Sequence, residues 1–450
     1  MHKNRNAALL LLVLDIAMVV LVFNANAWLR GILIDSQWIL WPLCVPALLV
    51  VGSLYLIDGY KNRTDMVSLD YTSEHLIALT AAMIGTLLFT FVFLTGDFPL
   101  QQSRGVILLS FLLFMPISLA YRRATYSVNR DARDEQSLLF VGDSENCAAF
   151  AAEYARMAGT LPVIYASRNQ PLQPEGDHHI DALLDKIDNG NLAVEAVIIR
   201  ENNQELNSHI SQRLVELYFH GIPTYTLELF HQVYWRKIPL YRLNQTWLFQ
   251  EGFKIAREPV FERLKRLSDI ALSLFALTAG APLFIGIALA IWIDDRGPVL
   301  FRQTRIGKNR IPFRLFKFRT MRPNDGKAVY TQVGDLRITR IGKFLRASRL
   351  DELPQMLNVL RGDMSLIGPR AEWDKLVHDY EARIPCYHFR HLVKPGITGW
   401  AQINYPYGAN LDDTLRKLEY DLYYIRHFSF LVDATIILKT IHIMLFGKGR

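Results

Sequence analysis

The chain has 450 residues, 51% of them hydrophobic, and a formal net charge of +7. That length admits two or three domains, and the positive mean hydropathy excludes an ordinary soluble protein of this size. Cys44, Cys147 and Cys386 lie far apart with no metal-ligand spacing, which excludes a disulfide framework and fits cytosolic exposure of the soluble parts.

Four apolar segments open the chain, at about 7–29, 36–57, 76–96 and 105–121. Each reaches or approaches the roughly 20 residues that cross a bilayer, so residues 1–121 are expected to form four transmembrane helices. Lys3 and Arg5 precede the first span, Lys61 and Arg63 follow the second, and Arg122, Arg123, Arg130 and Arg133 follow the fourth. The two other loops carry only Arg30 and Arg104. The positive-inside rule then sets the N-terminus and everything after Tyr121 in the cytoplasm. Ala25-Asn26-Ala27 has the form of a signal-peptidase site. The apolar run before it exceeds a usual signal core and three more spans follow, so an uncleaved first span is expected. Asp15 lies inside that span and either reaches the interface or pairs with a neighbouring helix.

Residues 122–136 read as a polar linker. Strands are expected at 137–141, 162–166, 193–200 and 222–227, and helices at 145–158, 179–187 and 204–220. Such alternation implies a doubly wound, Rossmann-like α/β domain over 137–250. Its first turn, Gly142-Asp143-Ser144-Glu145, keeps one glycine of a dinucleotide fingerprint and adds two acids that repel a pyrophosphate. A regulatory or oligomerisation domain is the better expectation.

The segment 270–293 is uncharged and long enough to span, but Gly280-Ala281-Pro282 interrupts it. Proline removes a backbone hydrogen bond inside a helix. The segment is therefore either a fifth transmembrane helix or a re-entrant one broken at Pro282. From Arg296 to Arg349 there are fifteen Lys or Arg and two acids, a block suited to anionic lipid or a phosphorylated substrate. Transmembrane segments ahead of it disfavour nucleic acid as the partner. Within it, Lys317 and Arg319 share one face of an expected strand, where phosphate or headgroup contact is favoured over a plain solvated surface.

Asp351 and Glu352 follow Arg346 and Arg349 at an expected helix start, with Pro354 in the first turn. The macrodipole favours an ionised carboxylate there. Such an acid can attack a phosphoryl group or, with its neighbour, hold Mg²⁺ beside substrate phosphates. Arginines grip phosphate oxygens in two-pronged fashion.

Six motifs occur in order: Lys265-Arg266 with Asp269, Lys317-Phe-Arg319-Thr-Met, Leu350-Asp-Glu-Leu-Pro-Gln355, Gly362-Asp-Met-Ser-Leu-Ile-Gly-Pro-Arg370, Lys394-Pro-Gly-Ile-Thr-Gly-Trp-Ala-Gln402 and Tyr420-Asp-Leu-Tyr-Tyr424. Together they closely resemble the bacterial sugar transferase family of polyprenyl-phosphate hexose-1-phosphate transferases, over about 259–450. The four spans and α/β middle domain resemble its long undecaprenyl-phosphate glucose or galactose phosphotransferase branch. The resemblance implies an α-rich catalytic domain with a re-entrant membrane helix at about 266–293. It implies transfer of a hexose-1-phosphate from a UDP-sugar to undecaprenyl phosphate, with release of UMP. Asp351 would be the nucleophile, with Glu352 assisting through Mg²⁺ or proton handling. Lys265, Arg266, Lys317, Arg319, Arg346, Arg349, Arg370 and Gln402 would contact substrate. Expected partners are the UDP-sugar, undecaprenyl phosphate, the bilayer and downstream glycosyltransferases, with a homodimer left open. The expected location is the cytoplasmic face of the bacterial inner membrane. Two departures from the family pattern stand out: Ala281-Pro282 replaces Ser-Pro, and Tyr405-Pro-Tyr-Gly-Ala-Asn410 replaces a Gly-Arg or Gly-Trp-Arg loop, which leaves the donor sugar open.

A spanning 270–293 would carry the basic block outside, away from nucleotide-activated donors, so the re-entrant reading is preferred. The segment 428–446 holds Asp433 and Lys439 in an apolar helical pattern, and either lies on the membrane or belongs to the core. Two other functions compete: a sugar-nucleotide oxidoreductase or epimerase seated near Gly142, and a non-catalytic scaffold for polysaccharide assembly.

Overall fold

The computed structural model describes residues 2–31, 38–61, 64–93, 104–128, 136–166 without 143, 158 and 160, then 180–200, 208–240, 259–322, 335, 337–405 and 410–446. The chain forms two compact units, Met1–Phe230 and His231–Arg450.

The first unit begins with helices α1 (His2–Leu29), α2 (Cys44–Leu56), α3 (Leu69–Leu88) and α4 (Arg104–Val128). Three segments are long and apolar enough to cross a bilayer: Ala7–Leu29, Leu69–Val92 and Arg104–Val128. The second expected span is a shorter apolar helix, Trp41–Leu56, which opens as a 3-10 turn with Pro42 in its first positions, and residues 32–37 lie outside the described ones. Proline has no amide to donate, so it suits a helix start and not an interior. The third helix starts earlier than expected because Ser68 caps it, its hydroxyl accepting from the Tyr71 amide at 3.1 Å.

The expected linker at 122–136 begins inside α4, and the reason is a buried ion pair. Arg122 and Asp15 both have fully buried side chains, with Nη2 and Oδ2 2.5 Å apart. Tyr60 and Tyr121 also donate to the Asp15 carboxylate, and Arg122 donates to the Gly59 carbonyl. Asp15 therefore pairs with a neighbouring helix, one of the two readings of the sequence. The rest of that linker, 129–135, lies outside the described residues. Asn26 to Ser110 (3.0 Å) ties α1 to α4 in the same way, as polar side chains do between apolar helices.

The alternating segment follows as β1 (Ser137–Val141), α5 (Ser144–Arg156), β2 (Val163–Ala166), α6 (Ile180–Asp188), β3 (Val194–Ile199), α7 (Ser208–Phe219) and β4 (Thr224–Thr226). The strands form one parallel sheet in the order β2-β1-β3-β4. All of β1 is buried, as expected of a strand covered on both faces. A Cβ on Gly142 would lie 2.9 Å from the Phe140 ring, which itself stacks on Phe150 at 4.5 Å. Packing thus accounts for this glycine. Asp143 lies outside the described residues.

Helix α8 (Leu227–Tyr234) leads into the second unit, whose elements are α9 (Pro259–Ala279), α10 (Ala281–Asp295), β5 (Leu300–Ile306), β6 (Pro312–Phe318), α11 (Arg340–Ala347), α12 (Met356–Arg361), β7 (Ser365–Ile367), α13 (Asp374–Arg383), β8 (Gly396–Thr398), α14 (Trp400–Asn404), α15 (Leu411–His427) and α16 (Phe430–Phe446). The helices on either side of Gly280 bend by 62°. A Cβ at Gly280 would lie 2.4 Å from the Ala276 carbonyl oxygen, and Pro282 sits in the first turn of α10. Glycine and proline together make this break. The basic strand expected around Lys317 is β6, and it pairs antiparallel with β5, setting Phe301 opposite Lys317.

Helix α16 turns its charges inward. Asp433 accepts from Lys265 Nζ at 2.5 Å and from the Tyr424 hydroxyl at 2.8 Å. Lys439 Nζ donates to Asn404 at 3.1 Å. Its outward face carries Phe430, Ile441 and Met444, each about half exposed. A helix docked by its polar residues while showing hydrocarbon outward suits an apolar surrounding.

Asp15→Asn is expected to lower stability by about 3–5 kcal/mol by stranding buried Arg122. Asp15→Asn combined with Arg122→Met should recover much of that loss. Thermal unfolding of the three proteins in one detergent would check this; equal melting points for the single variant and wild type would contradict it.

Candidate active site

Asp351 and Glu352 occupy a tight 3-10 turn, Leu350–Gln355, that runs directly into α12. Arg349, just before the turn, adopts a left-handed backbone with φ 56°. Such a conformation is uncommon for a side chain of this size and often marks a constrained functional position. The structure corrects the expected helix start in one respect. No side chain caps the turn, and Asp351 sits within it as a buried residue, 9% exposed.

Strand β6 delivers Lys317 to the turn from one side, with Nζ 2.7 Å from Glu352 Oε1. Arg370, after β7, reaches the same oxygen at 3.3 Å. Glu352 is therefore clamped, whereas the Asp351 carboxylate makes no hydrogen bond among the described residues. The two acids titrate in opposite senses. Burial pushes Asp351 above the usual carboxylate range, with Lys317 pulling back and Glu352 adding to the rise. Burial opposes ionisation of Glu352 too, but Lys317 and Arg370 overcome it and hold its pKa at about 2. Burial lowers Lys317 in turn, against the pull of Glu352. Desolvation thus outweighs the helix-start effect at Asp351.

The frame around this turn is hydrogen-bonded at several points. Asn358, fully buried on α12, donates to the Arg314 carbonyl at 2.7 Å and accepts from the Phe316 amide at 3.0 Å. It pins α12 to β6, and so fixes the distance between Lys317 and the acids. Arg266 donates to the Val359 and Leu360 carbonyls (2.5 and 2.7 Å), closing the C-terminal end of α12. Asp269 accepts from Ser365 Oγ and the Leu366 amide at 3.1 and 3.0 Å, holding β7 in place ahead of Arg370. Behind Arg370, buried Arg390 donates to its carbonyl at 2.9 Å, to Asp421 at 2.9 Å and to the Tyr387 hydroxyl at 2.6 Å. Burial raises Asp421 to about 6, with Arg390 pulling the other way.

The structure brings Lys317, Glu352 and Arg370 into direct contact with one another, and Arg346 acts on Asp351 through its charge. Arg349 likewise acts on Glu352. Lys265 and Arg266, expected to contact substrate, hold Asp433 and the end of α12. Arg319 is buried and folds over Gly297, where an added Cβ would meet its guanidinium at 2.1 Å. Gln402 lines a small cavity with Arg349, Thr398 and Thr440. The loop residues 406–409 lie outside the described ones. Sequence reasoning missed Asn358 and Arg390. Asn358 gave one usable signal, a polar residue in an otherwise apolar helical run; Arg390 gave none.

Among the described residues no three His, Cys, Asp or Glu side chains gather as a metal cage. The adjacent acids still fit Mg²⁺ in its usual mode, one or two carboxylates with substrate phosphates and water completing the shell. Both Asp351 oxygens and Glu352 Oε2 have no hydrogen-bond partner among the described residues.

The Bacterial sugar transferase family model matches residues 260–447. The UDP-N-acetylgalactosamine-undecaprenyl-phosphate N-acetylgalactosaminephosphotransferase of Aeromonas hydrophila is 38% identical over 295 residues, covering 63% of this chain and 69% of that protein. The chain belongs to the bacterial sugar transferase family. A UDP-glucose:undecaprenyl-phosphate glucose-1-phosphate transferase of Escherichia coli (strain K12) is 45% identical over 184 residues, 40% of this chain and 39% of that one. The exopolysaccharide production protein PSS of Rhizobium leguminosarum bv. phaseoli is 44% identical over 187 residues, 40% of this chain but 93% of its own length. The part of this sugar transferase shared with that shorter relative is thus nearly the whole of the relative. The motifs read from the sequence fall in the stretch that the family model matches.

Opposite pH responses follow from the two acids. The ordinary Glu value is 4.5 and Glu352 sits near 2. Its contribution to stability is present above 4.5 and is lost as pH falls from there toward about 2. Glu352→Gln should flatten that window, and at pH 7 should cost about 3–5 kcal/mol by stranding Lys317. Asp351 is shifted upward, so its ionisation opposes folding as pH rises through its raised pKa. Asp351→Asn should therefore raise the melting temperature at neutral pH. Thermal unfolding between about pH 3 and 8 would check both signs.

Proposed function

We propose that this sugar transferase moves a hexose-1-phosphate from a UDP-sugar to undecaprenyl phosphate, in two displacements through Asp351. The observation that carries this reading is the buried Asp351 carboxylate, without a hydrogen bond among the described residues, beside a Glu352 held through one oxygen by Lys317 and Arg370. In the first displacement, an Asp351 oxygen attacks the sugar-bearing phosphorus, the phosphoanhydride bond breaks, and UMP departs with the electron pair. In the second, a phosphate oxygen of the lipid attacks the same phosphorus and Asp351 leaves as a carboxylate. One phosphoanhydride is broken and one made, so the equilibrium lies near unity. The raised pKa of Asp351 suits a nucleophile that is ionised but poorly solvated. Lys317, Arg346 and Arg370 supply fixed positive charge to the phosphoryl oxygens, so catalysis rests on positioning and charge neutralisation. Asp351 and Glu352 would hold Mg²⁺, which supplies further charge neutralisation at the phosphates when bound.

Membrane placement follows the same reading. The bent α9–α10 pair is re-entrant, keeping both of its ends in the cytoplasm, and α16 lies on the bilayer by its outward apolar face. The N-terminal helices include the shorter α2 as a fourth span. The parallel sheet is a Rossmann-like domain with a regulatory or assembly role. Multi-pass insertion in the bacterial inner membrane, with the catalytic unit on its cytoplasmic face, joins a very polar donor to a very apolar acceptor. Names of the relatives make UDP-glucose and UDP-N-acetylgalactosamine the first donors to test.

Purified protein, undecaprenyl phosphate and Mg²⁺ should release UMP from one UDP-sugar. Asp351→Asn should lower that rate by at least about 10³-fold, the scale on which a covalent nucleophile contributes. Mass spectrometry of protein quenched without acceptor should find the sugar-phosphate mass on the Asp351 peptide. Release of UDP in place of UMP, or full activity in Asp351→Asn, would sink the reading.

A further inference from the structure

We infer that Lys237 is a positioning residue: the segment Trp235–Leu240, ahead of the stretch that the family model matches, braces α15 and so sets Arg370 against Glu352. This deepens the reading above, and it rests on that reading for the chemistry that Arg370 serves. The second unit begins at His231, whereas the family model matches from residue 260. Ile238 and Leu240 are nonetheless buried in the core of that unit with Trp400, Leu418 and Leu422. The catalytic unit is therefore built in part from residues upstream of the family match.

The segment grips two elements. On α15, Glu419 is fully buried, and its backbone carbonyl accepts from the Ile238 amide at 3.0 Å. Its carboxylate pairs with buried Lys237 at 3.3 Å and with Arg416 at 3.3 Å, and takes the Leu240 amide at 3.4 Å. On α14, the Trp400 indole donates to the Arg236 carbonyl at 2.9 Å. Arg236 holds a left-handed backbone with φ 49°, a constrained conformation for such a side chain. Both elements lead to Arg370. Asp421 lies two residues past Glu419, on nearly the opposite side of the helix. There it accepts from Arg390, which also holds the Arg370 carbonyl. From the other direction, Trp400 follows β8, whose Gly396 amide donates to the Pro369 carbonyl at 2.8 Å. A buried ion pair contributes little net stability compared with apolar residues of the same volume. The Lys237–Glu419 pair contributes register instead, fixing where α15 stands between the segment and Arg390.

The test compares Lys237→Arg, Lys237→Met, and Lys237→Met combined with Glu419→Gln, each as the full chain in nanodiscs. Lys237→Met strands a buried carboxylate and should lower the melting temperature; the double variant removes both charges and should recover most of that loss. Its kcat for UMP release should still fall at least about fivefold, with KM for the donor within about twofold, because small misplacements cost rate. Lys237→Arg should keep the wild-type kcat. In the double variant, amide hydrogen exchange should quicken about tenfold or more around Arg370 and Gly396 and stay unchanged in β5 and β6. Wild-type kcat and wild-type exchange in the double variant would overturn the inference. So would faster exchange of equal size in β5 and β6, which would make the pair merely structural. If wild type releases no UMP from any donor, the two-step reaction fails, and the exchange pattern alone decides the positioning role.

Discussion

The Lys317–Glu352 ion pair is the contact on which the Asp351–Glu352 turn depends. It joins β6 to the turn at 2.7 Å, and Arg370 closes the same oxygen from the other side. With both cations committed to Glu352, Asp351 is left as a carboxylate without a hydrogen bond, in a site that disfavours its charge. The pair of adjacent acids is thereby divided: one anchors, the other keeps both oxygens free of hydrogen bonds among the described residues. Neighbouring carboxylates often acquire separate roles through their surroundings in this way.

Holding that division requires rigidity from beyond the turn. Asn358 ties α12 to β6, Arg266 closes α12 at its far end, and Arg390 grips the backbone of Arg370 from a buried position. Each of these groups satisfies backbone oxygens or amides that would otherwise be orphaned inside the unit. Removing one loosens the geometry of charged side chains whose interaction falls off with distance.

Both units place charge inside and hydrocarbon outside where they meet an apolar surrounding. In the helical N-terminal region Asp15 and Arg122 neutralise one another at zero exposure. In the catalytic unit Lys265 and Asp433 do the same between α9 and α16. Ionisable groups placed near lipid are tolerated when paired in the protein interior. In a polyprenyl-phosphate sugar phosphotransferase, this arrangement keeps charge out of the apolar faces.

The sequence determined three of the four expected spans, the strand–helix alternation from Ser137 to Thr226 and the break beside Pro282, because hydropathy, period and proline act locally. It also determined the family, since the motifs from Lys265 to Tyr424 keep their order along the chain. The strand order β2-β1-β3-β4 and the contacts of β6 with the Asp351 turn depend on residues far apart in sequence, and no local pattern encodes them. The same holds for individual roles. The resemblance implied substrate contact for Lys265 and Arg266, and their partners in the structure are Asp433 and the end of α12, 168 and 93 residues away. Only tertiary structure decided which arginines face the acids and that Asp351 is buried rather than held at a solvated helix start. A pKa depends on the whole dielectric and charge surroundings, and these exist only once the chain has folded.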